Sequence, residues 1–169
     1  MGPLIELLAS SERQTLEFFF VGLKDVSGGD VDRDELLYNA SVLAHYAQVS
    51  TVARADLPTP ANLSDVFDHF VLDASLLGDS QMMETAGAQC LLLAGFFEDQ
   101  MRGRHNIAWY AQLGASFFGR AAVQQASPKR ALLLDMLAHH FEPWRRRQSR
   151  LSRELRDMPY LLALPDKAA

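Results

Sequence analysis

Two Asp-x-x-x-His pairs are the residues of this chain whose types and spacing suit metal binding. Asp65 and His69 form one pair, and Asp135 and His139 form the other. Residues four apart lie on the same face of a helix, so each pair would present a carboxylate and an imidazole together. If two such helices faced each other in a bundle, the four side chains would resemble the sites of di-iron proteins.

Exposure to solvent is the other explanation for these residues, and the sequence favours it. The Glu-x-x-His spacing of the di-iron proteins is absent. Asp65, Asp68, His69 and Asp73 share the face opposite to the apolar residues of their predicted helix, which directs them to water. We therefore predict no metal ligands and no cofactor, and a metal-binding helical bundle or enzyme stays an alternative.

Cys90 is the only cysteine and therefore the only possible thiol nucleophile of the chain. It lies in a nearly apolar run, residues 86–97, which is too short to cross a membrane and predicts a buried helix. A buried thiol stays protonated and unreactive, and the sequence has no Gly-x-Ser-x-Gly motif. We predict a packing role for Cys90 and no catalytic residue, which favours a protein without enzymatic activity.

Positive charge is concentrated near the C-terminus. Residues 101–169 carry 12 Lys and Arg against 5 Asp and Glu, whereas residues 1–100 carry 4 against 16. Arginine forms paired hydrogen bonds with carboxylates and phosphates, so the basic segment predicts a binding surface for an acidic partner. The residues that we predict to bind this partner are Trp144, Arg145, Arg146, Arg150 and Arg153.

Several partners fit such a segment. The arginines can pair with the acidic half of the same chain, with a second copy in a homodimer, or with an acidic protein. Nucleic acid is disfavoured because the formal net charge is −5 and few aromatic residues besides Trp144 and Tyr160 are near for base stacking. We predict a non-enzymatic protein-interaction or adaptor module that forms a homodimer or binds an acidic protein and acts through a basic amphipathic C-terminal helix.

Apolar residues recur at helical spacing along the chain, and no segment alternates apolar and polar residues as a strand would. We predict a single all-α domain, residues 1–169, with six or seven helices and a C-terminal tail over 158–169. Its central antiparallel pair is a helix capped by Ser80 and ended by Gly103, together with a helix over about 105–125. A further helix, capped by Ser64, would carry Asp65 and His69.

Spacing also predicts how the later helices pack. A stripe of small residues in the 105–125 helix is predicted to face the apolar helix closely. This stripe consists of Ala108, Ala111, Ala115, Gly119 and Ala122. Ser127-Pro128 opens the next helix, and an apolar seam that includes Trp144, Leu151 and Leu155 continues past Pro143. Either one long helix is kinked at Pro143 or two nearly collinear helices meet there, and we predict the break.

Two segments resemble known families. The segment Leu91–Phe97, continued by Arg102-Gly103, Trp109-Tyr110, Gly114 and Phe118, resembles uncharacterised all-helical proteins of proteobacteria. That resemblance implies a bacterial protein and no particular chemistry. The segment 138–144, Ala-His-His-Phe-Glu-Pro-Trp, is similar to the C-terminal part of all-helical chaperones that help mature redox enzymes, whose acidic Asp-His motif is matched only at Asp68-His69. This second resemblance implies a chaperone as an alternative function.

Cysteine usage and the N-terminus predict a cytoplasmic protein. One cysteine cannot form an internal disulfide. The N-terminal Met-Gly-Pro-Leu-Ile-Glu-Leu-Leu has no basic residue before its apolar stretch and an acid within it, unlike a secretory signal.

Overall fold

The fold is all-α in residues 12–53, 79–103 and 105–156, the part of the chain that the computed structural model describes. Seven helices and no strands are present in these residues, which confirms the predicted class. The helices are α1 (Glu12–Ser27), α2 (Arg33–Ala53), α3 (Ser80–Ala94), α4 (Glu98–Met101), α5 (Ile107–Gln124), α6 (Pro128–His139) and α7 (Phe141–Arg156).

The described residues fall into two compact units. One contains residues 12–53 and 150–156, and the other contains residues 79–103 and 105–149. Because α7 is one continuous helix, its first part belongs to the second unit and its last turns to the first. The prediction of a single domain stays a prediction.

In the first unit, α1 packs against α2 through apolar residues at helical spacing. Phe19 and Leu23 of α1 are buried, as are Leu36 and Leu43 of α2. A Cβ at Gly22 would lie 3.0 Å from Leu151 Cδ1, so the glycine allows α7 to approach α1 closely. Leu151 of the apolar seam is therefore packed against α1 within this unit.

In the second unit, α3 and α5 form the predicted antiparallel pair. The Ser80 hydroxyl at the start of α3 donates to the Ala121 carbonyl near the end of α5, at 2.8 Å. Farther along α3, Gly87 lies against the ring of Phe118. As the residue number rises along α3, the number of the contacting residue falls along α5. The two helices therefore run in opposite directions.

The predicted start and end of the apolar helix were wrong in detail. Asp79, rather than Ser80, caps α3, because its Oδ1 accepts from the Met82 N–H at 3.1 Å. The helix ends at Ala94, and the short helix α4 follows a turn that begins at Gly95. Gly103 has φ +89° after α4, so its predicted left-handed conformation is confirmed.

The small-residue stripe of α5 does not face α3, so that prediction was wrong. Ala108 is exposed, and Gly119 would have no atom within 4 Å of an added Cβ. A different face is buried, and it consists of Tyr110, Gly114, Phe117, Phe118 and Ala121. Burying three aromatic rings removes more apolar area from water than burying the alanines would, which determines the orientation of the helix.

A break precedes the basic helix, as predicted, but it lies at His140 and not at Pro143. Ser127 caps α6 with Pro128 in its first turn, and α6 ends with His140 as its C-cap. α7 begins at Phe141, and Pro143 lies within its first turn, where its missing N–H is tolerated.

Several predicted features lie outside the described residues. They are the helix that would start at Ser64, the Asp65 and His69 pair with its neighbours Asp68 and Asp73, and the tail over 158–169.

Candidate functional site

The basic helix α7 is strongly amphipathic, with one buried side and one charged side. Its buried residues are Phe141, Trp144, Arg145, Gln148, Ser149, Leu151, Ser152 and Leu155. The exposed side carries Arg146, Arg150, Arg153 and Arg156. The helix contains six arginines and two glutamates, so it keeps a positive charge after local pairing.

Trp144, one of the predicted partner-binding residues, lies in the interior. Only 1% of it is exposed. The Arg147 guanidinium lies 4.5 Å from the centre of its ring, a distance that allows a cation–π contact. Trp144 therefore packs within the protein and offers no exposed surface for a partner.

Arg145 is also buried, and carboxylates surround its guanidinium. Its Nε and Nη2 donate to the two oxygens of Glu142, at 2.9 and 2.5 Å. Its Nη1 donates to Glu98 Oε1 and, at 3.1 Å, to the carbonyl of Ala94. The hydrogen bonds that Arg145 donates to Glu142 lead the contributions that raise the pKa of Arg145, which stays charged.

Gly95 makes this arrangement sterically possible. A Cβ there would lie 2.6 Å from the Leu91 carbonyl oxygen and 3.1 Å from the Arg145 carbonyl oxygen. Because glycine has no Cβ, the end of α3 and the backbone of α7 can approach closely enough for Arg145 to reach Ala94.

Glu98 is the acceptor at the centre of the cluster. It also accepts from Arg102 Nη2 at 3.0 Å and from the Ser149 hydroxyl at 2.9 Å. Burial alone would raise the pKa of Glu98, but hydrogen bonds from Arg145 and Ser149, with the charges of Arg145 and Arg102, lower it overall. Glu98 is therefore a stable carboxylate.

An open cleft of about 650 Å³ lies beside this cluster, within the second unit. We call it the α5 cleft. Its charged wall consists of Glu98, Arg102, Glu142, Arg145 and Arg146, and its other wall comes from the first turns of α5 through Ile107, Ala108, Ala111 and Gln112. Neither the cleft nor the place of Glu98 and Arg102 in a site was predicted from the sequence, although the spacing of four between these two residues is typical of an ion pair.

The remaining predicted partner-binding residues are at the surface. The Arg146 side chain is 74% exposed, and its Nε donates to Glu142 at 3.1 Å. The Arg150 side chain is 66% exposed, and it contacts Glu154 at 3.5 Å and the Val26 carbonyl at 3.4 Å. Arg153 is exposed one turn farther along. The structure thus separates the predicted set into two interior residues and three surface arginines.

The residues considered for metal or thiol chemistry do not form a site in the described chain. His139 Nδ1 lies 3.6 Å from Asp135 Oδ2, and both side chains are largely exposed. The described residues contain no group of three His, Cys, Asp or Glu side chains placed to hold an ion. Cys90 is fully buried, as predicted, and burial raises the pKa of its thiol well above the usual value.

Among the described helices, none combines the length and the apolar composition that crossing a membrane requires. None of the protein-family models, curated proteins or solved structures that were compared with this chain matches it. The function is therefore inferred from what α7 and the α5 cleft can bind.

Proposed function

We propose that this protein is a non-enzymatic interaction module that holds an acidic segment of another protein on the exposed side of α7. The arginine face, defined as Arg146, Arg150 and Arg153, is the contact surface. The observation that carries the proposal is the division of α7 into a buried side, which fixes the helix, and a side that exposes arginines.

The spacing of the arginine face suits a row of carboxylates. Spacings of four and three place the three side chains on one side of the helix. At 1.5 Å per residue, the first and third are about 10 Å apart along the axis. An acidic helix with glutamates at the same spacing matches this row when it lies alongside α7.

Existing ion pairs do not prevent such binding. Arg146 contacts Glu142 and Arg150 contacts Glu154, but all four are surface side chains, from 46% to 74% exposed. Exposed pairs contribute about 0–1 kcal/mol, so a partner's carboxylates can replace or share these contacts at small cost. The positive charge of the helix also speeds the approach of an acidic partner.

The first prediction is that a labelled acidic helical peptide binds to the arginine face. In the Arg150→Gln/Arg153→Gln variant we expect about tenfold weaker binding, measured by fluorescence anisotropy, because two charge-assisted contacts are lost. The matched control is Arg13→Gln/Arg120→Gln, which removes two exposed charges elsewhere. Binding should also weaken between about 50 and 200 mM salt, as exposed charges are screened.

Equal losses in both double variants would overturn the proposal, because binding would then follow net charge alone. Tighter binding of duplex DNA than of the peptide would overturn it as well. Dimer formation by the chain itself at the concentrations used, abolished in Arg150→Gln/Arg153→Gln, would identify a second copy as the occupant and contradict an adaptor role.

A second candidate is a chaperone for redox enzymes. It is favoured by the position of the segment 138–144, which forms the junction of α6 and α7 and contributes Glu142 to the α5 cleft. A chaperone would bind a redox enzyme before that enzyme is mature and release the folded product. Binding assays with both forms of such an enzyme test this, and equal binding of both would exclude it.

A further inference from the structure

We propose that the α5 cleft is a binding site for a small monoanionic carboxylic acid with a short apolar body. This inference goes beyond the proposed function, because Arg150 and Arg153 do not line the cleft. Its volume of about 650 Å³ lies within the range of about 300–1,000 Å³ that is usual for small-molecule sites.

The charge of the cleft wall matches a single anion. Three arginines and two glutamates line it, which leaves one positive charge. Arg145 lies between Glu98 and Glu142 and donates to both, so it balances one of the two negative charges, and Arg102 and Arg146 together exceed the other by one. The positive charge available to a ligand therefore lies at the rim, on Arg102 and Arg146.

Both rim arginines keep hydrogen-bond donors for a ligand. Arg102 is 65% exposed and donates through Nη2 to Glu98, and Arg146 is 74% exposed and donates through Nε to Glu142. A guanidinium has five N–H donors, so each of these contacts uses only part of the group. Carboxylates and phosphates both pair with such donors, and the single positive charge of the wall favours the monoanionic carboxylate.

The start of α5 also lines the cleft and favours the same ligand. Asn106 caps the helix by accepting from the Trp109 N–H at 3.1 Å, and Ile107 and Ala108 of its first turn line the cleft. The first N–H groups of a helix lack acceptors within the helix, and its N-terminal end attracts anions. Ala108 and Ala111 are small, which leaves room for a short aliphatic or aromatic body.

The second prediction is binding of butyrate and benzoate to the full chain, measured by isothermal titration calorimetry, with butyramide as the uncharged analogue. We expect both acids to bind and butyramide not to bind. Arg102→Gln should weaken butyrate binding about tenfold, because a charge-assisted hydrogen bond is lost. The control Arg120→Gln removes an exposed charge outside the cleft and should not change it.

Ala111→Leu distinguishes a shaped site from attraction to surface charge. It fills the apolar wall and changes no charge, so we expect about tenfold weaker butyrate binding while circular dichroism shows unchanged helix content. The proposal is overturned if butyramide binds as well as butyrate, if neither acid binds at millimolar concentration, or if Ala111→Leu has no effect. Inorganic phosphate that binds as tightly as butyrate and is insensitive to Ala111→Leu would show a charge-only site, which also overturns it.

Discussion

Arg145 is buried although arginine is among the side chains that are most costly to remove from water. The cost is offset because Glu98 and Glu142 accept from all three of its guanidinium nitrogens. Breaking such a group by removing one partner leaves a buried charge without compensation. The cluster therefore fixes where α7 lies against the turn between α3 and α4.

The pH dependence of stability is the third prediction. Hydrogen bonds from Arg145 lead the causes that lower the pKa of Glu142, and contacts with Arg145, Ser149 and Arg102 outweigh burial to lower that of Glu98. A carboxylate whose folded pKa lies below its unfolded value of 4.5 stabilises the fold fully above that value. We expect the free energy of unfolding to fall as the pH decreases from about 4.5 through the lower folded pKa values.

Urea denaturation of Glu98→Gln across this range checks the assignment. We expect a loss of about 3 kcal/mol at neutral pH and a shallower acid dependence, because Arg145 loses one of its two carboxylates. Glu84→Gln is the matched control, since its ion pair with Arg130 at 2.7 Å is partly exposed and should contribute about 1 kcal/mol or less. An unchanged acid limb in Glu98→Gln would contradict the role of the cluster.

At the scale of helices, the faces of α5 give the fourth prediction. A Cβ at Gly114 would lie 2.5 Å from Phe141 Cζ and 2.6 Å from Cys90 Cβ, whereas one at Gly119 would meet no atom within 4 Å. We expect Gly114→Ala to destabilise the protein by about 1–3 kcal/mol through overpacking. Gly119→Ala should stabilise it by about 0.5–1 kcal/mol, since alanine favours a helix.

Thermal denaturation of the two variants checks this pair, with the same substitution in the same helix as an internal comparison. Equal effects would mean that α5 does not pack on the Gly114 face. A loss of stability in Gly119→Ala alone would restore the small-residue stripe as the packing surface.

Sequence patterns predicted the elements better than their faces and contacts. The class, the antiparallel pair of α3 and α5, the cap at Ser127 and the break before α7 all follow from local signals. The packed face of α5 did not, because two neighbouring faces of that helix both carry apolar or small residues. The turn at Gly95 was also missed, since a glycine within an apolar run does not by itself end a helix.

The candidate site was predicted only in part for a related reason. The arginines of α7 are visible as a cluster in the sequence, but burial depends on residues far along the chain. Arg145 is compensated by Glu98, which is 47 residues away. No local pattern distinguishes Arg145 from Arg146. Neither the buried ion pair of Arg145 with Glu98 nor the α5 cleft could therefore be predicted from the sequence.

For the whole molecule, the fifth prediction concerns the cooperativity of unfolding. The two compact units share α7, which runs without interruption from Phe141 to Arg156. Helix formation is cooperative, so unfolding of one part of α7 favours unfolding of the rest. We therefore expect one calorimetric transition with equal calorimetric and van't Hoff enthalpies. Two separated transitions would contradict the predicted single domain and show that the shared helix does not couple the units.

Because Cys90 is buried, the rate at which its thiol reacts reports how often the protein interior opens. The thiol is the only one present, it has no exposed surface, and burial keeps it protonated. A thiol reagent added to the native protein can therefore react only when α3 separates from its neighbours, so the labelling rate measures how often the interior becomes accessible. No cysteine needs to be introduced or removed, and the unaltered protein carries its own kinetic probe of interior stability.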